Sequence, residues 1–223
     1  MYVNFNRLIS ALALVALAPA AFAQSSNRDK TWEFEFDVNY QDSYSLDFKG
    51  GSSADTDSAW GFSVGANYHY NDRLELQFLV DWLRVDYDST VVSGNTPPLA
   101  SYSVRGTMDT ITPRINGVFN FLEGPITPYV SAGIGWAFID TNIPQGPPQT
   151  GCWWDPWWGY LCSTYQNTKN TDAFAYQAGL GVRWDMSPAM SWRLGYEKQW
   201  YDVGTTTSTP GFDQLRLGFG YKF

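Results

Sequence analysis

The chain has 223 residues, a formal net charge of −8 and a mean hydropathy of −0.30, yet 17% of its residues are aromatic. So acidic a chain lacks the basic face that nucleic-acid phosphates require, which argues against nucleic acid as a partner. So much aromatic surface at this hydropathy is unusual for a soluble domain and indicates strands with one polar and one apolar face.

The first 23 residues have the layout of a secretory signal peptide. Arg7 precedes an apolar run over residues 8–18, and residues 21–23 (AFA) offer a small-x-small cleavage pattern. The run is shorter than the roughly 20 residues that a membrane-spanning helix needs, and no later stretch is long enough either. We therefore predict removal of residues 1–23, with an uncleaved anchor as the alternative. Residues 24–223 are predicted to form one all-β domain.

Eight later segments alternate between apolar and polar residues. In the first, WEFEFDVNY, Trp32 and Phe34 share one face of a strand, whereas Glu33 and Glu35 share the other. The eight segments are 32–40, 60–70, 74–82, 111–121, 130–138, 174–185, 192–197 and 215–223. Most approach the roughly 9–11 residues with which a tilted strand crosses a bilayer.

The connections alternate in length. Three are short, at 71–73, 122–125 and 186–190. Four are longer and polar, at about 41–58, 88–105, 140–172 and 204–211. This is typical of an eight-stranded antiparallel up-and-down transmembrane β-barrel with short periplasmic turns and long extracellular loops.

A secreted β-sandwich is the alternative, and two features argue against it. The polar faces are rich in glycine, which suits a narrow barrel lumen better than a solvent face. The apolar rows also end in aromatic rings at two matching heights, as interfacial girdles do. Trp32, Tyr70, Phe121, Trp184, Trp192 and Phe223 fall at the short-turn end, and Tyr40, Trp60, Trp82, Phe138 and Phe174 near the loop end. Pro113 cannot donate to a strand ladder and is expected near the loop-side rim or at a bulge.

Three stretches carry a family resemblance: PYVSAGIGWAF at 128–138, FAYQAGLGVRWDMSPAMSWRLGYE at 174–197 and QLRLGFGYKF at 214–223. They resemble the OmpA-like outer-membrane β-barrel family in glycine, aromatic and turn spacing. The resemblance implies the outer membrane of a Gram-negative bacterium and insertion by the assembly machinery through a C-terminal strand ending in an aromatic residue, here Phe223. The chain stops there, so the peptidoglycan-binding role of longer members is not carried over.

The polar faces place charges of both signs in the lumen. Eight strands leave an interior that side chains can fill, so we predict a network of paired charges that plugs it. The predicted network is Glu33, Glu35, Asp81, Arg114, Arg183, Arg193, Arg216 and Lys222. Pairing of the first and last strands would bring Glu33 and Glu35 near Arg216 and Lys222, and Asp81 and Arg114 should lie at similar depth. A narrow ion pathway is the alternative.

The chain offers little for catalysis. His69 is the single histidine, and Ser63 lies too far along the same strand to meet it as a nucleophile meets its base. Two cysteines and one histidine make no zinc spacing. We therefore predict no catalytic residue, no metal and no cofactor, and read His69 as a hydrogen-bonded lumen residue.

The two cysteines, Cys152 and Cys162, bound a segment of unusual composition, GCWWDPWWGYLC. In an outward loop beyond an oxidising compartment they should form a disulfide. The closure would hold five rings on a rigid, hairpin-like tip, namely Trp153, Trp154, Trp157, Trp158 and Tyr160. One interpretation is that the rings cover the barrel mouth or dip into the headgroup layer. The other is a contact surface for a host molecule, a glycan or a protein.

Three functions remain open from the sequence. The first is an integral surface and envelope protein with a filled lumen, in contact with membrane lipid and lipopolysaccharide. The second is a narrow channel for ions or small solutes. The third is an adhesin or ligand-binding protein that acts through the segment between Cys152 and Cys162.

Overall fold

A computed structural model describes residues 28–47, 52–93, 100–144, 149–165, 168–202 and 209–223. The predicted signal peptide, residues 1–23, lies outside these ranges. Across these ranges, no helix is long and apolar enough to cross a membrane. The ordered elements in them are strands joined by turns.

Eight strands close into a barrel, as the alternation predicts. In chain order, the twelve strands of the described residues, eight in the barrel and four in two hairpins, are β1 (Trp32–Gln41), β2 (Tyr44–Asp47), β3 (Ser53–Thr56), β4 (Ala59–His69), β5 (Leu74–Ser93), β6 (Ala100–Asn120), β7 (Ile126–Pro144), β8 (Gln149–Asp155), β9 (Gly159–Tyr165), β10 (Thr168–Asp185), β11 (Met190–Asp202) and β12 (Gly211–Lys222). The barrel order is β5-β4-β1-β12-β11-β10-β7-β6, every pairing is antiparallel, and β6 pairs with β5 to complete the ring. β2–β3 and β8–β9 are additional hairpins, the first of which pairs with β5.

The side chains divide between lumen and outer surface as the period of two dictates. On β1 the acidic residues are buried inside while the aromatic residues point out. Outward rings meet across neighbouring strands at both ends of the barrel. Tyr40 and Trp60 lie 5.0 Å apart between ring centroids at the long-loop end, and Trp32 and Tyr68 lie 5.0 Å apart at the short-turn end. The outer surface is therefore an apolar belt between two aromatic rows.

The strands continue beyond the aromatic row at the long-loop end, which we call the outer aromatic row. Beyond it, the outward side chains become charged. On β5 the first outward residue beyond Trp82 is Arg84, which forms an ion pair of 2.6 Å with Asp109 directly opposite on β6. Two outward positions further along, Asp88 pairs with Arg105 at 2.7 Å. The hydrogen bonds from Arg105 lower the pKa of the Asp88 carboxyl. This change from rings to ion pairs marks where the apolar belt ends.

Parts of three segments predicted as long loops are strand. β5 and β6 pair out to Ser93 and Ala100, and the first loop contains the β2–β3 hairpin. The apolar alternation on which the prediction rests stops at the edge of the belt. The backbone ladder does not, because cross-strand polar pairs stabilise it in water.

Pro113 interrupts a ladder without a bulge. It lies two residues inside Ile111, which pairs with Phe138 in the outer aromatic row. Pairing with β7 skips residues 112 and 113 and resumes at Arg114 in the same register. Pairing of Pro113 with β5 is kept, opposite Val80. Pro113 has no N–H to donate, and the pairing is therefore interrupted at one place only, on the side of β6 that faces β7.

Side-chain caps hold the short turns. The Asn71 carboxamide oxygen accepts from the backbone N–H groups of Arg73 and Leu74 at 2.8 and 2.7 Å. The Ser187 hydroxyl accepts from the N–H of Met190 at 3.0 Å. Asn and Ser favour such turns because a short side chain can bond the backbone two or three residues ahead.

Candidate functional site

The lumen near the short-turn end holds a dense cluster of charges. Glu33 lies at its centre and is ion-paired to Arg183 at 2.5 Å and to Arg193 at 2.9 Å. Arg193 also meets Glu75 at 2.7 Å. His69 lies between the two glutamates, 3.5 Å from an oxygen of each. All five side chains are buried, so each charge is compensated inside the barrel.

Arg28 closes the short-turn end from below. Its guanidinium donates to the carbonyls of Leu122 and Gly124 at 3.1 and 3.2 Å and lies 3.6 Å from Asp185. Its backbone N–H donates to Asp72 at 2.9 Å. This single residue ahead of β1 therefore links two of the short turns to the end of β10, from which the third short turn follows.

The last strand reaches the same end of the lumen. Lys222 donates to Asp185 at 3.1 Å, and that carboxylate also accepts from Arg183 at 3.0 Å. The charge pairs of the lumen and the residues of the short turns thus form one connected network.

A row of amides crosses the middle of the lumen. Glu35 accepts from Asn67 and, at 2.7 Å, from Gln77, whose own oxygen accepts from Asn116 at 2.7 Å. The row runs from β1 across β4 and β5 to β6. It adds a second filled layer above the charge cluster.

A second charge cluster lies above the amides. Arg216 bridges Asp37 at 2.6 Å and Asp81 at 3.1 Å. Arg114 bridges Asp81 at 2.8 Å and Glu197 at 2.9 Å. The cluster joins strands from both halves of the chain across the lumen.

An apolar layer lies nearest the long-loop end. It consists of Ala137, Ile139, Ala173, Ala175, Tyr201 and Phe212, all buried and in mutual contact. The rings of Tyr201 and Phe212 meet at 5.5 Å, and Tyr44 packs on Phe212 at 5.1 Å. The layer joins β7, β10, β11 and β12 on the inside of the barrel.

The predicted lumen residues all lie inside the barrel, but several have other partners than expected. Glu33 is opposite Lys222 in the ladder, yet its carboxylate pairs across the lumen with Arg183 and Arg193. Arg216 pairs with Asp37 rather than with Glu33 or Glu35. Asp81 and Arg114 do meet.

Arg28 and the apolar layer were not among the predicted lumen residues. Arg28 precedes the first strand and carries no periodic signal. Tyr201 and Phe212 lie just beyond the predicted ends of their strands. They share the inward parity of Glu197 and Arg216, so extending the alternation by two steps would have placed them in the lumen.

Ser63 and His69 lie in different layers of the lumen. The Ser63 hydroxyl donates to Asp81 at 2.5 Å and accepts from Asn39 at 2.7 Å and Arg216 at 3.0 Å. His69 lies with the glutamates of the lower cluster. Their partners are those of a packed polar interior.

The segment between the cysteines is a β-hairpin formed by β8 and β9. Cys152 and Cys162 are disulfide-bonded and face each other across the ladder. Asp155 shapes the tip, because its Oδ1 accepts from the backbone N–H groups of Trp157 and Trp158 at 2.8 and 3.0 Å. Gly159 follows with φ 75°, a conformation that glycine adopts without strain. Pro156 supplies the fixed φ of the turn's second position.

The hairpin presents its rings on every side. Trp154 is opposite Tyr160 on the face that carries the disulfide, whereas Trp153 is opposite Leu161 on the other face. Trp157 and Trp158 occupy the turn and are 89% and 79% exposed. We call the five exposed rings, Trp153, Trp154, Trp157, Trp158 and Tyr160, the aromatic tip.

Comparison with known proteins places the barrel in a family. The sequence profile described as "Outer membrane protein beta-barrel domain" matches residues 9–223. The chain belongs to this outer-membrane β-barrel family. It is thus an integral protein of the outer membrane of a Gram-negative bacterium, with its apolar belt in contact with membrane lipid. Its short-turn end is periplasmic and its long-loop end is extracellular.

A curated relative of the barrel protein comes from Rickettsia conorii and carries the name "Putative adhesin". The two are 25% identical over 163 residues, which covers 70% of this chain and 59% of the relative. The match thus spans less than two thirds of that relative's length.

Solved structures similar to the barrel protein include three outer-membrane barrels. The N-terminal domain of Pseudomonas aeruginosa OprF is 16% identical with a TM-score of 0.44, covering 87% of this chain and 98% of that one. P. aeruginosa OprG is 11% identical at 0.48, covering 89% and 98%. Neisserial surface protein A is 14% identical at 0.48, covering 86% and 95%. These are likenesses of fold alone.

Proposed function

We propose that the barrel protein is a non-conducting surface adhesin, in which a filled barrel displays the aromatic tip to molecules outside the cell. One observation carries the proposal: five large rings are exposed on a hairpin that is closed by a disulfide and shaped by Asp155. Exposed aromatic surface of this extent marks interaction sites, because it is costly in water. The name of the rickettsial relative agrees with this role.

The lumen supports the non-conducting part of the proposal. Two charge clusters, an amide row and an apolar layer succeed one another from the periplasmic to the extracellular end. We infer that these layers stabilise the barrel and carry out no covalent chemistry, because the partners of Ser63 and His69 are structural. The alternative of a narrow ion pathway then requires the layers to separate.

Membrane insertion is proposed to follow the family route. Residues 1–23 would direct secretion and be removed. The assembly machinery would engage β12 and Phe223, which follows it. The Phe223 ring stacks on Phe34 at 5.1 Å, and the Phe223 N–H donates to the Trp32 carbonyl at 3.0 Å. Lipopolysaccharide would surround the extracellular end of the belt.

We expect the refolded chain to give no discrete conductance steps in a planar lipid bilayer. The physical reason is that side chains bonded to one another occupy the lumen in two charge clusters and an amide row, and an apolar layer lies beyond them. Insertion is verified by β-rich circular dichroism and a heat-modifiable gel shift. Reproducible steps that Arg114→Ala or Glu35→Ala alter would instead support the channel and contradict the filled lumen.

Bacteria that display the protein are expected to adhere to cultured host cells through the aromatic tip. The double variant Trp157→Ser/Trp158→Ser should reduce adhesion at least tenfold, since each ring buries large apolar area on contact. The matched control is Arg84→Ala/Asp109→Ala, which changes an exposed pair of residues on the barrel wall, away from the hairpin. Equal adhesion of the tip variant and the wild type, at equal surface amounts, would refute the proposal.

A further inference from the structure

We propose that the partner of the aromatic tip is the surface of an apposed phospholipid bilayer with zwitterionic headgroups. This inference rests on the proposed function and names what the same site binds. The tip would enter the headgroup layer of the facing membrane with Trp157 and Trp158 leading.

The side chains of the hairpin fit a lipid interface better than a glycan or protein epitope. Between Cys152 and Cys162 only Asp155 and Tyr160 carry a polar side chain other than the indole nitrogens, and Asp155 is engaged in the turn. A site for a small ligand or sugar is usually concave and has several polar groups that fix orientation. Here the rings point outward from both faces and from the turn. Trp and Tyr are the residues that favour the membrane–water interface.

The charge of the hairpin favours zwitterionic over anionic headgroups. Residues 149–165 contain no Lys or Arg and one acidic residue, Asp155. Attraction to anionic lipid depends on basic residues near the surface, at about 1 kcal/mol for each. The tip has none, so its binding should rest on apolar contact and be insensitive to salt.

The backbone donors at the head of the turn are already hydrogen-bonded, which favours entry into a less polar environment. A backbone N–H that leaves water without a partner costs free energy. The two N–H groups at the head of the turn, those of Trp157 and Trp158, are both bonded to Asp155. The residues that would go deepest thus have their donors satisfied within the hairpin.

The position of the hairpin root indicates a facing membrane rather than the protein's own. β7 and β10 pair up to Pro144 and Thr168, six residues beyond Phe138 of the outer aromatic row. At about 3.3 Å per residue and a tilt of about 40°, the root stands roughly 15 Å above that row. The headgroup region on one side of a bilayer is only about 5–8 Å thick. Pro144 and Thr168, the last paired residues on either side of the hairpin, therefore lie above a phospholipid headgroup layer of that depth.

The test measures association of the full mature chain, held in a lipid nanodisc, with phosphatidylcholine vesicles by flotation. We expect association that is unchanged between 0.15 and 1 M NaCl, over which the screening length falls from about 8 Å to about 3 Å. Association should be at least tenfold weaker for Trp157→Ser/Trp158→Ser. Arg84→Ala/Asp109→Ala should associate like the wild type. Brominated lipid in the vesicles should quench the tryptophan emission of the wild type more than that of the tip variant.

Two results would overturn the lipid partner. Adhesion to cells that depends on the tip, without any association with bare vesicles, would identify a glycan or protein partner and leave the proposed function intact. Quenching only by brominated lipid in the chain's own nanodisc would place the tip on its own membrane. Adhesion that does not depend on the tip would instead refute the proposed function itself. The gel shift checks folding, and Trp157→Phe/Trp158→Phe, which keeps two rings, should retain most of the association.

Discussion

Replacement of Arg193 by alanine is expected to lower the free energy of unfolding by about 3–5 kcal/mol. Arg193 is buried and lies 2.9 Å from Glu33, 2.7 Å from Glu75 and 3.5 Å from Glu35. Its removal leaves buried carboxylates with too little positive charge nearby. An uncompensated buried carboxylate lowers the free energy of unfolding by far more than the loss of one contact does. The measurement is urea unfolding in lipid vesicles, followed by circular dichroism and by the heat-modifiable gel shift.

Two further variants identify the cause of that loss. Arg84→Ala breaks an exposed ion pair and should change the free energy of unfolding by less than about 1 kcal/mol. Arg193→Ala/Glu75→Gln removes one uncompensated carboxylate as well, so it should lose less stability than Arg193→Ala alone. If Arg193→Ala lowered the free energy of unfolding no more than Arg84→Ala does, water rather than protein would compensate the carboxylates of Glu33 and Glu75.

The barrel could be predicted from the sequence because its signal is local. The alternation of Trp32, Glu33, Phe34 and Glu35 already assigns each residue to the outer surface or the lumen, and eight such segments define the strand number. The disulfide-closed hairpin was predicted on a different ground, since Cys152 and Cys162 bound a turn-forming segment in an outward loop beyond an oxidising compartment.

Partners inside the lumen could not be predicted in the same way. Glu33 faces Lys222 in the ladder, but long side chains in a narrow barrel reach across it, so the carboxylate meets Arg183 instead. Which charges meet depends on the stagger of the strands and on side-chain length, neither of which has a periodic signal. The contacts of Arg28 at the short-turn end could not be predicted either, because they form only when the whole barrel closes.

In the proposed function, the lumen supports the barrel and the exposed hairpin binds. The charge clusters connect strands across the barrel and make it a rigid support. β8 pairs with β9 alone, in a sheet separate from the barrel. Changes in the hairpin should therefore alter binding without altering barrel stability, and changes in the lumen should do the reverse.

The disulfide provides the sharpest test of that separation. Cys152→Ser/Cys162→Ser is expected to reduce adhesion to host cells by roughly tenfold or more, while urea unfolding of the barrel stays unchanged. Closing a loop of about ten residues restricts the unfolded hairpin by roughly 2–3 kcal/mol. Without it, the short β8–β9 ladder has to order itself at the moment of binding, since an isolated two-stranded hairpin is marginal in water.

Chemical reduction supplies the matched control for the disulfide variant. A mild reductant should lower adhesion of the wild type to the level of Cys152→Ser/Cys162→Ser and leave the variant unaffected, because the chain has no other cysteine. Full adhesion by the reduced protein would mean that the rings alone, without a restrained hairpin, suffice for binding. A fall in barrel stability on reduction would show that hairpin and barrel share stabilising contacts. The expected pattern, in which adhesion falls and barrel stability is kept, requires both a functional hairpin and an independent barrel.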